Sequence, residues 1–278
     1  MKKIYYIHEL NKMEVTKMIS HYNLNNDIKF LAKSEIRLKI LSELLKKPKS
    51  IKEIVKDTKI TYSSVSSNLA KLEENEYIVK IRNKYHLNPL SEIYYKSLMD
   101  FKASIDLIND FNEFWGKHNI DQLSIDSIQN INDLKDSKLI ETTPIDIYKT
   151  HNTIKKRINE SENIKAIFPY LHPEYPQLIE DMLKRDGCAE LLIPRNMFRE
   201  IIFKIDNETR KKAAKNGKLK VYTTKHDLKL YLTLCDNSMS LGLFKNDGSF
   251  DQNRILISEN EKSLFWANNL FETLLQQV

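Results

Sequence analysis

The chain has little of what forms nucleotide-binding loops, metal sites and membrane segments. Only five of its 278 residues are glycine, which leaves little for a phosphate-binding loop, and no G-x-G-x-x-G, Walker or G-x-S-x-G pattern occurs. The two cysteines, Cys188 and Cys235, lie in apolar runs without a partner at metal-ligand spacing, so we expect buried free thiols. No apolar run approaches the roughly 20 residues that span a bilayer. The sequence therefore predicts a cytoplasmic protein with no cofactor, metal site or membrane segment.

What the chain does have is a regular pattern from Ser34 to Leu87. Apolar residues recur at helical spacing in three short stretches. Ser50 and Glu53 form a capping box before the second stretch, and Thr61 can cap the third. Two short β-like runs then flank the turn 82–84. This order, three helices followed by a basic hairpin, is typical of a winged helix-turn-helix, which places one helix in a DNA groove.

The basic residues are concentrated on the same segment. Residues 28–87 contain 14 lysines and arginines against 7 aspartates and glutamates, whereas residues 88–278 contain 26 against 28. A localised positive charge attracts phosphate groups and releases condensed counterions. The distribution therefore indicates contact with double-stranded DNA.

The third helix and the turn carry the candidate DNA contacts. With Val65, Leu69 and Leu72 on the buried side, the polar side chains of this helix face outward. Serine and lysine suit phosphates or base edges, and Asn68 could pair with adenine. The turn suits backbone phosphates or the minor groove. The predicted DNA-binding residues are Thr61, Tyr62, Ser63, Ser64, Ser67, Asn68, Lys71, Arg82, Asn83 and Lys84.

A second apolar stripe runs from Ile93 to Trp115 at spacings of three and four residues, and no glycine or proline interrupts it before Gly116. It predicts one linking helix of about seven turns. Such a helix either packs as a stalk on its own chain or joins two chains. We expect a homodimer, because a regulator with one reading helix per chain needs a second copy to gain affinity and half-site spacing.

From residue 119 onward, short β-like runs alternate with helical segments. The first part has the order β-α-β-α-β, which favours parallel pairing, whereas Leu230–Phe244 predicts a hairpin. Gly187 and Gly217 each follow a helix, where a C-terminal cap is expected. A mixed sheet covered by helices follows, so the fold class is α/β, and α+β over the whole chain. The predicted parts are an N-terminal extension (1–27), the winged helix-turn-helix domain (28–90), the linking helix (91–118) and an α/β regulatory domain (119–278).

Four segments of this last part resemble the archaeal methanogenesis-regulatory protein family. They are LKDSKLIE (Leu134–Glu141), LKLYLTLCDNSMSLGLF (Leu228–Phe244), NDGSFD (Asn246–Asp251) and SLFWANNLFE (Ser263–Glu272). The resemblance covers nearly the whole chain from about residue 28. It implies a transcriptional regulator of methanogenic archaea, in which a winged helix precedes a characteristic regulatory domain that senses a ligand or binds a partner. No ligand motif is attached to these segments, so the resemblance does not identify what is sensed.

An enzyme is the alternative to a regulator. The strand pattern would suit a phospholipase-D-like sheet, whose active members need His-x-Lys followed by an aspartate. Here His226 is followed by Asp227 and Leu228, and Lys229 comes one position too late, on the opposite face of a strand. The sequence therefore predicts a protein without catalytic residues.

A ligand pocket is the remaining candidate site. The proline- and aromatic-rich segment 168–176 follows one predicted strand, and Pro194-Arg195-Asn196 follows the next. In parallel sheets, pockets form beyond the carboxyl ends of the strands. The candidate ligand contacts, which could hold a small anion, are Tyr170, His172, Tyr175 and Arg195. The alternative is a stiff surface loop.

The sequence thus predicts a sequence-specific DNA-binding transcriptional regulator whose C-terminal domain senses a ligand or a partner. The alternative is a non-sensing DNA architectural protein, whose C-terminal domain only mediates protein contacts. Ligand-dependent operator affinity separates the two, because an architectural protein should show none.

Overall fold

The structure is a computed structural model that describes residues 26–278. The predicted extension at residues 1–27 therefore lies almost entirely outside the described residues. The chain divides into two compact units, one ending at Lys102 and one running from Ala103 to Val278. Within the described range, no helix combines the length and the apolar character needed to cross a membrane.

The first unit contains short helices followed by a hairpin and the start of a long helix. In chain order these are α1 (Asn26–Ala32), α2 (Glu35–Lys46), α3 (Ile51–Thr58), α4 (Tyr62–Glu74), β1 (Ile78–Ile81), β2 (Lys84–Leu87) and α5 (Pro89–Asp110). The core is formed by Ile40 and Leu44 of α2, Ile54 of α3, and Leu69 and Leu72 of α4. These are the apolar positions of the three helical stripes, so each short helix is stabilised mainly by the face it buries.

Two helix starts in this unit show how the sequence positions them. The capping box at α3 is confirmed: Ser50 accepts the backbone N–H of Glu53, whose carboxylate accepts the N–H of Ser50 at 2.7 Å. Thr61 stands at the start of α4, but the prediction that its side chain caps this helix was wrong. Its hydroxyl instead donates to the hydroxyl of Ser64 at 3.0 Å.

The hairpin is tightly closed and is joined by a third backbone segment. Ile81 pairs with Lys84, so that only Arg82 and Asn83 form the loop. Both have positive φ, 46° and 64°, as a type I′ turn requires. On the other side of β2, the backbone of Lys49 exchanges hydrogen bonds with Tyr85 at 3.2 and 2.8 Å.

The long helix ends earlier than its apolar stripe predicts. Helix α5 stops at Asp110, and a separate short helix, α6 (Asn112–Gly116), follows. Phe111 has φ −119° and ψ 39°, outside the helical region, and its carbonyl accepts the N–H groups of Phe114 and Trp115. The predicted continuous helix over residues 91–118 is therefore interrupted. The apolar spacing continues across the break, so the periodicity carries no sign of it.

The second unit is built on a seven-stranded mixed sheet with the order β3-β9-β8-β7-β4-β5-β6. Its strands are β3 (Lys138–Glu141), β4 (Asn163–Ile167), β5 (Cys188–Pro194), β6 (Leu219–Thr224), β7 (Leu230–Cys235), β8 (Met239–Leu243) and β9 (Arg254–Ser258). Strands β4, β5 and β6 are parallel, and every other pair is antiparallel. The predicted mixed sheet, its parallel part and the β7–β8 hairpin are confirmed. Strands β3 and β9 were not predicted.

Helices cover both faces of this sheet. They are α7 (Ile125–Gln129), α8 (Lys149–Glu160), α9 (Tyr175–Lys184), α10 (Phe198–Ile202), α11 (Asn207–Lys215) and α12 (Glu261–Leu275). Along β5, Leu191 and Ile193 lie in one buried cluster, which includes Met182 of α9. Leu192 lies in the other cluster, with Trp266 of α12. Successive strand residues point to opposite faces, so both faces need apolar side chains.

The two glycines predicted to cap helices differ in role. Gly217 has a φ of +71°, as a left-handed cap requires. After α9, however, the residue with positive φ is Asp186, at 69°. Gly187 is needed for space instead, because a Cβ there would lie 2.4 Å from the carbonyl oxygen of Glu162. The prediction for Gly187 was therefore wrong in its physical reason.

Both cysteines are free thiols, Cys235 buried and Cys188 half-buried. Cys188 pairs with Asn163 and Cys235 with Ile164, on opposite sides of β4. Neighbouring strands lie about 4.8 Å apart, so the two Cα atoms are roughly 10 Å apart, beyond the reach of a disulfide.

Candidate functional sites

Helix α4 has one buried face and one polar face. Val65, Leu69 and Leu72 are buried, as predicted. The exposed residues of this helix are Tyr62, Ser63, Ser66, Ser67, Ala70 and Lys71, followed in its last turn by Glu73 and Glu74. Ser66 was missing from the predicted contacts, and its spacing of four residues from Tyr62 is the signal that could have found it.

Three predicted contacts are engaged within the helix itself. Ser64 and Asn68 are half-buried, and the Asn68 amide donates to the carbonyl oxygen of Ser64 at 2.9 Å. The hydroxyl of Thr61 donates to Ser64. A contact of Asn68 with adenine would require its side chain to leave this hydrogen bond.

The hairpin tip presents the other predicted contacts. Arg82, Asn83 and Lys84 are all exposed, and the two cations form no ion pair with any described residue. A left-handed backbone is costly for an arginine, by an amount of about 1 kcal/mol or more. The hairpin nevertheless holds Arg82 at its tip, where its side chain is exposed.

One basic residue of this unit belongs to the interior. Lys49 is 3% exposed, and its ammonium pairs with Glu43 and with Asp57, the latter at 2.5 Å. The hydrogen bonds to Asp57 and Glu43 raise the pKa of Lys49 above its ordinary value. Its charge therefore holds α2 and α3 together beside the hairpin and is not available to phosphate groups.

The four candidate ligand contacts do not form one site. Tyr170 packs against Phe250 with ring centroids 4.4 Å apart, and His172 lies 5.3 Å from the ring of Tyr175, which is only 1% exposed. These three residues thus share one largely buried aromatic cluster. Arg195 is exposed and lines a separate cleft. Tyr170, His172 and Tyr175 do not line this cleft with Arg195, because the segment after β4 packs against α8 and its own core.

A polar network lies beside this cluster. The side chains of His151, His172 and Glu174 have ligand atoms within 4.8 Å of one another, a spacing that a metal ion could use. However, the backbone N–H of Glu174 donates to Nδ1 of His172 at 3.2 Å, and the Lys155 ammonium lies 2.8 Å from the Glu174 carboxylate. The two imidazole rings are stacked at 3.9 Å, so their in-plane lone pairs do not converge. These contacts describe an ion-paired network that ties α8 to the segment before α9.

A cleft of about 620 Å³ opens at the carboxyl ends of the parallel strands, and we call it the carboxyl-edge cleft. It is lined by Pro169, Pro194, Arg195, Asn196, Met197, Thr224, Lys225, His226, Asp227, Leu228, Lys229, Phe244 and Gly248. Its two lysines were not predicted as site residues. The signal was available, because residues 225–229 follow a predicted strand just as Arg195 does.

The loop from Lys225 to Lys229 is held in place by its neighbours. The Gln122 amide nitrogen donates to the carbonyl of Asp227 at 2.5 Å, and its oxygen accepts the backbone N–H of Lys229 at 2.5 Å. Leu228, at the position where a phospholipase-D-like enzyme would need lysine, is 8% exposed and packs in the core. The loop therefore presents its charged residues outward and anchors itself through its leucine.

Two family models match this chain. The one described as "Methanogenesis regulatory protein FilR1, N-terminal domain" matches residues 25–106. The one described as "Methanogenesis regulatory protein FilR1, middle domain" matches residues 147–277. Together they cover most of the chain and fall on both units.

A curated relative is the methanogenesis regulatory protein FilR1 of Methanothrix harundinacea (strain 6Ac), 22% identical over 253 residues. The alignment covers 90% of this chain but 57% of the relative, so the chain spans little more than half of the relative's length.

Some solved structures are weakly similar. TrmBL2, an archaeal chromatin protein whose structure shows a novel mode of DNA binding, has 11% identity and a TM-score of 0.39, covering 90% of this chain and 97% of that one. HmgR of Pseudomonas aeruginosa has 11% identity and a TM-score of 0.24, covering 87% and 96%. An IclR transcriptional regulator of Alicyclobacillus acidocaldarius has 9% identity and a TM-score of 0.24, covering 91% and 99%. These TM-scores are too low to establish a fold or a function.

Proposed function

Because the chain belongs to the methanogenesis regulatory protein FilR1 family, we propose that it is a DNA-binding transcriptional regulator of methanogen genes. In this proposal the first unit is a winged helix-turn-helix, with α4 as the recognition helix and the β1–β2 hairpin as the wing. The second unit is a regulatory domain that senses a ligand or a partner.

The observation that carries the proposal is the pair of polar surfaces on the first unit. Helix α4 turns short hydroxyl side chains and Lys71 outward, and the hairpin tip adds Arg82 and Lys84 without described ion pairs. Short side chains let a helix approach the base edges closely, whereas unpaired cations suit phosphates. Because each serine contact discriminates only modestly between bases, DNA shape would contribute to specificity.

A homodimer completes the proposal. One recognition helix reads only a few base pairs, so two copies at a defined spacing would supply the affinity and length of an operator. Helix α5 is the proposed interface, since Ile93 and Phe101 on its apolar stripe are 60% and 63% exposed.

The double variant Arg82→Ala with Lys84→Ala tests the wing. Affinity of the full chain would be measured by fluorescence anisotropy over a salt series. One duplex would carry the region upstream of the protein's own gene, and a second would carry the same bases scrambled. We expect weaker binding to both duplexes, and a log–log salt slope shallower by roughly one unit per lost phosphate contact.

A charge-matched control separates the wing from the total charge of the chain. Lys135→Ala with Lys262→Ala removes two exposed cations from the second unit. This control should keep the parent slope. If the salt slope of the wing variant is unchanged, or if the control changes it equally, the wing does not contact DNA. Failure of the parent protein to bind either duplex overturns the DNA-binding proposal itself.

A further inference from the structure

We infer that the carboxyl-edge cleft binds a small anionic metabolite, a molecule that bears phosphate or carboxylate groups. The inference rests on the sensing role proposed above and names the chemical class of the sensed ligand. It replaces the aromatic contacts predicted from the sequence with a different set of side chains, of which only Arg195 is shared.

The topology brings the cations of this cleft together. Pro194 of β5 pairs with Thr224 of β6, so Arg195 and Lys225 leave neighbouring parallel strands at the same level. The chain then passes from β6 to β7, and these two strands are separated in the sheet by β5 and β4. The connecting loop therefore crosses the carboxyl ends of both strands and ends at Lys229, beside the start of β7. Crevices at this edge of parallel strands are where α/β sheets bind ligands.

The three cations of the cleft outnumber its one described carboxylate, and none of them is paired with it. Arg195, Lys225 and Lys229 form no ion pair or hydrogen bond through their side chains with any described residue. Asp227 is the acidic residue among the described lining residues, and His226 is the remaining titratable one. Cations gathered in a concave site repel one another, and an anion bound between them would relieve that repulsion through charge-assisted hydrogen bonds.

The frame of the cleft is already ordered. Gln122 bonds to the backbone on either side of Leu228, Leu228 anchors the loop in the core, and the hydroxyl of Thr224 accepts the N–H of His226 at 2.9 Å. A loop held in this way loses little conformational freedom when a ligand binds, which favours affinity.

The size and the walls of the cleft suit a small organic anion. A volume of about 620 Å³ lies within the usual range of small-molecule sites, about 300–1,000 Å³. Pro169, Pro194, Met197 and Phe244 offer apolar surface to the body of such a molecule. On a convex protein surface the same cations would be spread apart, and one small ligand could not contact all three of them.

Calorimetric titration of the full chain, without DNA, tests this inference. Inorganic pyrophosphate and citrate would be titrated separately at constant ionic strength, so that the two arms distinguish phosphate from carboxylate recognition. The variant Arg195→Gln, Lys225→Gln, Lys229→Gln keeps exposed polar side chains but removes the three charges. We expect it to bind the preferred anion at least about tenfold more weakly than the parent, since bonds to charged groups are the strong ones.

The matched control is Lys211→Gln, Lys212→Gln, Lys215→Gln on α11, which removes three exposed cations outside the cleft. This control should keep the parent affinity. The inference is overturned if the parent binds neither anion, or if both variants lose the same affinity, because binding would then follow total charge. The titrations contain no DNA, so their failure leaves the DNA-binding proposal intact, and failure of DNA binding leaves an anion site intact.

Discussion

A single carboxylate holds together the network that the sequence suggested as part of a ligand site. Glu174 precedes α9, and its two oxygens contact residues of α8: Oε2 lies 2.5 Å from Nε2 of His151, and Oε1 accepts from Lys155 at 2.8 Å. The hydrogen bond from Lys155, followed by that to His151, lowers the pKa of Glu174 to about 2. The network therefore links two helices, and its strength depends on the charge of one side chain.

We expect Glu174→Gln to lower the free energy of unfolding most near neutral pH. A folded-state pKa below the unfolded value of 4.5 stabilises the protein above that value, and this stabilisation is lost as pH falls toward about 2. Because the Glu174 side chain is 41% exposed, the difference between parent and variant should not exceed about 1 kcal/mol.

Urea unfolding at about pH 5 and about pH 3 would measure this difference, which should shrink at the lower value. Glu160→Gln is the matched control, since its exposed carboxylate lies 3.8 Å from Lys156 on the same helix α8. A difference between parent and Glu174→Gln that is constant with pH would show that the ion pairs contribute nothing and that the substitution acts through packing.

At this scale, local patterns were predictable and tertiary partners were not. The capping box of Ser50 and Glu53 depends on residues three positions apart, and it is present as expected. Gly187 depends on the carbonyl oxygen of Glu162, which lies on the neighbouring strand segment, so its steric role has no sequence signal. Asp251 is similar: it is 1% exposed and contacts the buried His118, 133 positions away, at 2.9 Å.

At the scale of elements, apolar periodicity located elements better than it located their interruptions, as the break at Phe111 shows. The hairpin predicted over Leu230–Phe244 is formed by β7 (Leu230–Cys235) and β8 (Met239–Leu243), because each strand carries a continuous apolar pattern with clear ends. The sequence pattern did not predict strands β3 and β9, because both lie close to polar segments. Strand β3 pairs only with β9 at the sheet edge, so pairing rather than propensity decides its conformation.

Helix α5 combines a predicted stripe with an unexpected distribution of burial. Leu107 is 2% exposed and packs in the core of the second unit, and Leu98 packs against the core of the first. Phe101 and Ile105 are 63% and 41% exposed. Leu98 is therefore a poor choice for disrupting a dimer, because its replacement would damage the fold, whereas the exposed pair can be changed with less harm.

We expect Phe101→Glu with Ile105→Glu to convert a homodimer into monomers, because carboxylates opposed across a helix pair would be buried without partners. Light scattering would give the mass, and circular dichroism would show that the fold persists. Phe265→Glu with Ile145→Glu is the matched control, since it changes the same residue types at sites that are 65% and 99% exposed. If the variant keeps the mass of the parent dimer, the interface lies outside this part of α5. If the parent itself is a monomer, the homodimer proposal is wrong.

For the whole molecule, charge segregation was predictable because it needs only the order of residues. The excess of basic residues lies on residues 28–87, within the first compact unit. The charges of the remaining residues are nearly balanced. The position of the ligand cleft was only partly predictable. The rule that pockets follow parallel strands applies to Arg195 and to Lys225 alike, but the path of the loop from Lys225 to Lys229 across to β7 depends on the order of strands in the sheet.

The helix α5 runs without interruption from Pro89 to Asp110, across the boundary between the units at Lys102. Under the proposed function, an anion in the carboxyl-edge cleft would change the affinity of the first unit for DNA. Such couplings are usually about 1–3 kcal/mol, or about 5- to 150-fold in affinity.

We expect the anion that binds the cleft to change the Kd for the upstream duplex by a factor within that range, and the duplex to change the Kd for the anion by the same factor, because coupling between binding sites is reciprocal. Anisotropy with and without saturating anion, and calorimetry with and without duplex, would measure both directions at constant ionic strength.

The Arg195→Gln, Lys225→Gln, Lys229→Gln variant should bind DNA like the anion-free parent and show no response. His172→Ala should keep the response, since His172 lies in the network with His151 and outside the cleft. If the anion binds the parent but changes no DNA affinity, the cleft is not a sensor, and the architectural alternative explains the second unit better.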